Sequence, residues 1–280
     1  MSKKTYREVL SWASSFLEKH GKESHAILYV FLARKDWTQT QWLINMDQEI
    51  SNQEQEQITL DLKFLLKDYP PQYITGFEEF YGQRFQVTEA TLIPRPETEE
   101  LVACCLQETI MQKDQPLKVV DVGTGTGVIA ITLKQQRPDW QLSAVDISAK
   151  ALSVAKKNAL AAQTQIDFYL GNTLEPIHYK IDLLISNPPY ISSREWNKMD
   201  PSVRKYEPEV ALFAEHDGLA IYQKLAQEAK DKLNGKGKIF MEMGYQQKKA
   251  VKEIYQLNFP DKKVEIRKDM AGKDRFLFVH

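Results

Sequence analysis

The tetrapeptide Asn187-Pro188-Pro189-Tyr190 carries the residue types needed to hold a planar NH2 group, and it follows the apolar run Ile181 to Ser186. An amide or exocyclic amine nitrogen is a poor nucleophile because its lone pair is delocalised. Reaction at such a nitrogen therefore needs acceptors that grip its N–H bonds and aim it at an electrophile. The Asn187 side-chain carbonyl can accept one N–H and the Pro188 backbone carbonyl the other. Pro189 forces Pro188 into an extended conformation and brings no N–H of its own, which keeps that carbonyl free. Tyr190 can stack on a flat target and stabilise nearby positive charge through its ring face. No strong base is required, since the nitrogen becomes acidic once it is alkylated.

Upstream lies Asp121-Val122-Gly123-Thr124-Gly125-Thr126-Gly127. Glycines between a strand and its helix permit a tight turn and let a ligand touch the backbone. The spacing is G-x-G-x-G rather than the G-x-G-x-x-G that cradles a pyrophosphate. Asp121 stands just before the turn, where it can pair with a cationic amino group. Asp146 falls at the end of the next strand, nineteen residues after Gly127, where a carboxylate can accept two ribose hydroxyls. The two motifs together favour S-adenosylmethionine over a nicotinamide dinucleotide, and methyl transfer to an amide or amine nitrogen.

The surrounding pattern supplies elements to position them. Residues 1 to about 70 have helical periodicity, with Val9, Trp12, Ala13 and Phe16 on one face and Ile58, Leu62, Leu65, Leu66 and Tyr69 on another. Thr38 with Gln41 and Ser51 with Glu54 form capping boxes, and Pro70-Pro71 ends the region. The aromatics Trp12, Phe16, Trp37 and Trp42 read as core. Phe80 to Val87 reads as a hairpin around Gly82, followed by a loop stiffened by Pro94 and Pro96 and a helix over 98–112. Strands at Lys118–Val122, Leu142–Asp146, Ile166–Leu170, Ile181–Ser186 and Lys238–Met243 alternate with helices from Thr126 to about Arg137, over Ser148–Ala161, over Asp217–Leu233 and over Tyr245–Leu257. Two closing strands, Lys263–Lys268 and Arg275–His280, have a connection too short for a parallel crossover, so they should pair antiparallel. The expected fold class is α/β, a doubly wound, mostly parallel sheet. The expected domains are 1–72 helical, 73–93 a β-hairpin linker, and 94–280 the cofactor-binding domain.

With 280 residues, 42% hydrophobic and 27% charged, the chain can bury a sizeable core. A formal net charge of −1 lacks the basic excess of a duplex-binding protein. Cys104 and Cys105 are adjacent, so they form neither a disulfide framework nor a metal site, and no metal is expected. The N-terminus, Met1-Ser2-Lys3-Lys4, leads into a polar amphipathic segment, and Ile27 to Ala33 is too short to span a bilayer. The expectation is a cytoplasmic protein that binds no membrane and no stable nucleic acid. His178 and His216 read as surface polar residues. Arg95 can either bind a carboxylate or brace its loop.

On these residues the chain resembles the HemK-type protein-(glutamine) methyltransferases, which modify the glutamine of the GGQ motif in class-1 peptide chain release factors. Tyr73-Ile74-Thr75-Gly76 with Glu79-Phe80-Tyr81-Gly82 is similar to the family's linker. Leu92-Ile93-Pro94-Arg95-Pro96-Glu97-Thr98-Glu99 is similar to its signature before the catalytic domain. Tyr206-Glu207-Pro208, Ala211-Leu212, Asp217-Gly218-Leu219 and Asp269 to Arg275 also look like family segments. The resemblance implies a Rossmann-like seven-stranded S-adenosylmethionine-dependent methyltransferase domain, with a helical N-terminal domain that helps grip the release factor. A monomer is expected, although nothing in the residues fixes an oligomeric state. It implies that Gly123, Thr124, Gly125, Thr126 and Gly127 cradle the methionine part of the cofactor, with Asp121 and Asn187 beside it, and that Asp146 holds the ribose. Asn187, Pro188, Pro189 and Tyr190 would bind the target glutamine amide. Two stretches depart from the family. Asn172-Thr173-Leu174 replaces an acidic-aromatic pair against the adenine, leaving Asn172 or Thr173 to serve. Ala214-Glu215-His216 replaces glycines before Asp217.

Two other functions share parts of this pattern. A nucleic-acid adenine methyltransferase uses the same acceptor logic but needs a basic target-recognition region, whereas the first 70 residues carry Glu49, Glu54, Glu56 and Asp61 and no basic stripe. A non-catalytic cofactor-binding interaction protein would have no use for an intact acceptor loop. A nicotinamide dehydrogenase lacks a well-placed hydride-site group.

Overall fold

The structure, a computed structural model, describes residues 4–112 and 115–280; Met1 to Lys3 of the polar lead-in lie outside the described residues. Its contacts divide into two compact units, Met1–Phe77 with Asp200–Tyr206, and Glu78–Met199 with Glu207–His280.

In the first unit helices α1 (Tyr6–Lys19), α2 (Ala26–Lys35), α3 (Gln39–Asn45) and α4 (Asn52–Leu65) are followed by the short α5 (Pro71–Thr75). Three of the four longer helices start from reciprocal capping boxes, Thr5/Glu8, Thr38/Gln41 and Ser51/Glu54, which satisfy amide groups that a helix N-terminus otherwise leaves open. Tyr6, Leu10, Ala13, Leu17, Ile27, Phe31, Ile58 and Leu62 form the core. Buried Asp61 is paired by Arg34 through two bonds, at 2.9 and 2.8 Å. Two expectations fail here. Trp12 is 55% exposed and stacks on Phe16 at 5.6 Å, because the buried stripe of α1 runs through Tyr6, Val9, Leu10, Ala13 and Leu17. Pro70-Pro71 does not end the helical region. Pro71 takes the first position of α5, where a missing N–H costs nothing.

From Glu78 onward the second unit holds a hairpin, β1 (Phe77–Phe80) and β2 (Gln83–Gln86). Its two turn residues, Tyr81 and Gly82, have φ of 51° and 76°, the left-handed pair that matches the twist of a two-residue hairpin. Helix α6 (Pro96–Glu108) follows, with Pro96 inside its first turn rather than before the helix, for the same reason as Pro71. Then come β3 (Lys118–Val122), α7 (Val128–Gln136), β4 (Gln141–Asp146), α8 (Ala149–Ala161), β5 (Asp167–Leu170) and β6 (Ile181–Ser186). Short helices α9 (Pro201–Tyr206) and α10 (Glu209–Leu212) precede α11 (Ala220–Lys232), β7 (Leu233–Glu242), α12 (Lys248–Asn258), β8 (Val264–Lys268) and β9 (Asp274–Val279). Of these, α9 belongs to the helical unit: the Tyr206 hydroxyl donates to the Lys67 carbonyl at 2.9 Å and its ring meets Tyr69 at 4.9 Å.

The seven-stranded sheet has the order β5-β4-β3-β6-β7-β9-β8. Its strands are parallel except β9, which is antiparallel to both neighbours. Strands β3, β4 and β6 are buried almost end to end, as expected where helices cover both faces of a parallel sheet. One face packs Val120, Ile181, Leu184, Tyr222, Leu225 and Tyr255. The other packs Val119, Leu183, Ile185, Trp140, Phe240 and Phe278 with Leu101 and Cys105 of α6 and Phe80 and Phe85 of the hairpin. The order reverses at β3, whose neighbours are β4 and β6. Both motifs leave the sheet from the carboxyl ends of these strands, the place where such folds bind ligands.

Candidate functional site

The glycine turn follows β3. The Val145 carbonyl accepts both the Gly123 amide, at 2.8 Å, and the Thr124 amide, at 3.1 Å, and the Gly127 amide closes the turn on the Thr124 carbonyl at 2.7 Å. Gly127 has φ +84°, and a Cβ there would meet Ile131 Cδ1 at 3.0 Å and Ala155 Cβ at 3.2 Å, so both the backbone conformation and the approach of α8 require glycine. Buried Asn158 on α8 donates to the Thr126 carbonyl at 2.9 Å while bonding both the amide and the carbonyl of Gln86 on the hairpin. Asn158 therefore ties the turn to β2, a role no sequence pattern announced.

Asp146 accepts the Gly125 amide on one carboxylate oxygen and the Ser148 amide on the other, each at 2.8 Å. Its burial raises its pKa while those amides oppose the rise. Asp121 is fully buried beneath the turn, behind Thr124, whose hydroxyl donates to its Oδ2 at 2.6 Å. Its Oδ1 is buried with no hydrogen-bond partner among the described residues. Burial pushes its pKa up to about 7, against the Thr124 hydroxyl and the Ala130 amide.

The second motif leaves β6. Ser186 donates to the Val122 carbonyl at 2.6 Å, pinning the two loops side by side. Asn187 Nδ2 donates to Thr98 Oγ1 at 3.0 Å, and that hydroxyl donates to Glu242 Oε2 at 2.8 Å. The Asn187 side-chain oxygen and the Pro188 carbonyl receive no hydrogen bond within the described residues. Tyr190 packs its ring against the core, and its hydroxyl donates to Glu242 Oε1 at 3.4 Å. The loop end is held by Gln247, whose side-chain amide donates to the Tyr190 carbonyl at 2.9 Å, and by Gly218, which packs so closely that a Cβ would lie 2.1 Å from that carbonyl.

One cleft joins both motifs. It encloses about 1160 Å³, including its open mouth, and is lined by Gly123 to Thr126, Asp146, Gly171, Asn172, Thr173 and Asn187 to Pro189. Most of the anticipated site residues thus come together. Gly127, Asp121 and Tyr190 are not in the lining: the first two support the turn from behind, and Tyr190 faces Glu242 rather than the cleft. Further wall comes from Ala90 to Leu92, Pro94, Arg95, Thr98, Val210, Ala211 and Phe213, together with Ile147. The 192–216 segment gave no periodic signal, so Phe213 was missed. Arg95 braces its loop, since its guanidinium pairs with buried Glu207, which also accepts the Ile93 amide at 3.1 Å. His178 and His216 are exposed, as expected. Among the described residues no group of three or more metal-ligating side chains occurs, and no helix is long and apolar enough to cross a membrane.

Two family models match the chain. Residues 8–76 match the PrmC N-terminal domain and residues 101–200 the methyltransferase small domain. A release factor glutamine methyltransferase from Enterococcus faecalis is 56% identical over 97% of this chain and 98% of its own. One from Lactococcus lactis is 48% identical over 85% and 87% respectively. A methyltransferase from Pyrococcus furiosus shares the fold, with a TM-score of 0.52 at 17% identity over 71% of this chain and 89% of its own. The chain is a methyltransferase and belongs to the release factor glutamine methyltransferase family.

Proposed function

We propose that the protein transfers a methyl group from S-adenosylmethionine to the side-chain amide nitrogen of the glutamine in the GGQ motif of class-1 peptide chain release factors. The observation that carries this reading is the single cleft lined at once by the glycine turn, Asp146 and Asn187 to Pro189.

The residues present fit the methyl donor. Asp121, buried beneath the turn against Thr124, places carboxylate charge under the glycine turn, where it favours a cationic amino group held above it. The Asp146 carboxylate uses one lone pair per oxygen on backbone amides and keeps others for ribose hydroxyls. Ile147, 56% exposed at the cleft wall, offers an apolar face to an adenine ring, with Asn172 and Thr173 beside it. When bound, S-adenosylmethionine supplies a methyl already activated by the sulfonium charge.

The chain's own contribution is placement. Asn187 Oδ1 and the Pro188 carbonyl are open acceptors, and they take the two N–H bonds of the glutamine amide. This orients the nitrogen lone pair and stabilises positive charge as it develops there. The Tyr190 phenol braces the loop through Glu242 rather than stacking on the target. Residues 1–72 act as the substrate-recognition domain, and residues 94–280 carry the chemistry.

The test offers purified protein and labelled S-adenosylmethionine an intact release factor, the same factor with its GGQ glutamine changed to alanine, and duplex DNA. The modified residue is then located by mass spectrometry. Label confined to the GGQ glutamine is the expected result. Label on DNA would move the function to an adenine methyltransferase, and cofactor binding with no transfer would make the protein a non-catalytic binder.

A further inference from the structure

We propose that Thr98 and Glu242 are positioning residues that set which end of the Asn187 amide faces the cleft, and that the ionised carboxylate of Glu242 is the state that aims the oxygen outward. The proposal deepens the function stated above and rests on it for its consequence in catalysis.

The argument is one of donors and acceptors. A threonine hydroxyl has one hydrogen to give. Thr98 spends it on Glu242 Oε2, at 2.8 Å, so toward Asn187 it can only accept, and it takes the Asn187 Nδ2 hydrogen at 3.0 Å. That leaves Asn187 Oδ1 as the end presented to substrate. All three groups come from separate elements: Thr98 from the first turn of α6, Asn187 from the loop after β6, and Glu242 from the end of β7. Thr98 and Glu242 are 3% and 2% exposed, so water does not compete for these bonds.

Protonation of Glu242 reverses the chain. A neutral carboxyl can donate to Thr98 Oγ1, which frees the Thr98 hydrogen to point at Asn187. The amide then gains by turning its oxygen toward Thr98 and its NH2 into the cleft. A glutamine NH2 arriving there would meet a donor instead of an acceptor.

The charged groups around Glu242 bear on when this happens. Burial raises its pKa, and the Glu97 carboxylate on α6 adds to the rise. The Thr98 hydroxyl, Arg275 on β9 and the Tyr190 hydroxyl oppose it, and the result is pushed up to about 7. Arg275 is itself held by Asp269 at 3.1 Å, and Tyr222 on α11 donates only to the Glu242 backbone carbonyl. The relay therefore switches near pH 7.

Two readouts test it. The first is kcat and KM for release factor methylation across pH in wild type, Thr98→Val, Thr98→Ser and Glu242→Gln. Thr98→Val, which keeps the shape and removes the hydroxyl, should lower kcat at least about tenfold with KM changed less than about twofold, and Thr98→Ser should restore most of it. Wild type should lose kcat below about pH 7, and Glu242→Gln should lack that acid limb, both measured at saturating S-adenosylmethionine so that protonation of Asp121 in the cofactor site does not limit the rate. A Thr98→Val enzyme with wild-type kcat, or an acid limb unchanged in Glu242→Gln, overturns the proposal. The second readout is the nitrogen-15 resonance of the Asn187 side-chain amide, assigned by its loss in Asn187→Ala. It should titrate near pH 7 in wild type and not in Glu242→Gln. An amide signal that does not titrate in wild type overturns the relay without reference to activity. A signal that titrates in a protein that fails to methylate the release factor would instead overturn the assigned substrate and leave the relay standing.

Discussion

Arg95 and Glu207, 112 residues apart in sequence, form an ion pair at the cleft wall, and the same buried carboxylate accepts the Ile93 amide. The pair fastens the loop before α6 to the start of the segment that carries Phe213. Its carboxylate is 1% exposed while the guanidinium keeps 34%, so most of the desolvation falls on the acid. Glu207→Ala leaves the Ile93 amide and Arg95 unsatisfied. It should cost about 2 kcal/mol, less than a fully buried pair because Arg95 can turn to water. Urea unfolding measures the loss. An unchanged midpoint would mean that the wall is held elsewhere.

Asp146→Asn should weaken S-adenosylmethionine binding at least about tenfold. Asparagine keeps one oxygen and places an NH2 where the carboxylate now accepts either the Gly125 or the Ser148 amide, so the turn loosens as the ribose loses an acceptor. Calorimetric titration with S-adenosylmethionine reads this directly, and wild-type affinity would remove Asp146 from the cofactor site.

Asn187→Ala should act on turnover. It deletes an acceptor whose value is realised as the glutamine nitrogen is aimed, so kcat should fall at least about tenfold, in line with one lost oriented hydrogen bond. Cofactor affinity should change far less. Wild-type turnover in this variant would refute the acceptor role.

Gly218→Ala tests the support beneath the acceptor loop. Gly218 has φ +84°, and an added Cβ would lie 2.1 Å from the Tyr190 carbonyl oxygen. Backbone must move on one side or the other, so the expected loss exceeds about 2 kcal/mol, accompanied by reduced methylation. Calorimetric melting shows whether the space exists; a melting temperature within a degree or so of wild type would say that it does.

Stability should depend on pH through Glu242. In the unfolded chain this carboxyl ionises in the ordinary carboxylate range, and burial in the folded chain raises it to about 7. The folded state thus holds the proton more tightly. The stability it contributes is complete below the unfolded pKa and is lost as pH rises through about 7. Glu242→Gln removes this decline, so the variant should gain on wild type as pH rises from about 4.5 to 8, by at most about 3 kcal/mol for a difference of that size. Chemical unfolding at the two ends of that range decides it, and a gap that does not widen with pH would count against the raised pKa.

Most of the elements and both motifs are legible in the sequence, because these are local. Alternation of apolar strands and periodic helices, three glycines after β3 and a Pro-Pro loop after β6 are legible within windows of a dozen residues, and the short closing connection between β8 and β9 dictated their antiparallel pairing. Local reading also failed in local ways. Pro71 reads as the end of the helical region and Pro96 as part of a stiff loop, yet both are first-turn residues, since proline is excluded only where an amide must donate. Trp12 fitted one helical face, yet α1 buries the adjacent stripe, because which face is covered depends on what α2 and α4 present. The support of the site comes into being only in the folded chain. Asn158 grips the Gln86 backbone 72 residues away, Glu207 joins Arg95 across 112, and Glu242 reaches Asn187 through Thr98, itself 144 residues from Glu242. Such pairs leave no periodic trace, since their geometry exists only after the sheet has brought the strand ends together.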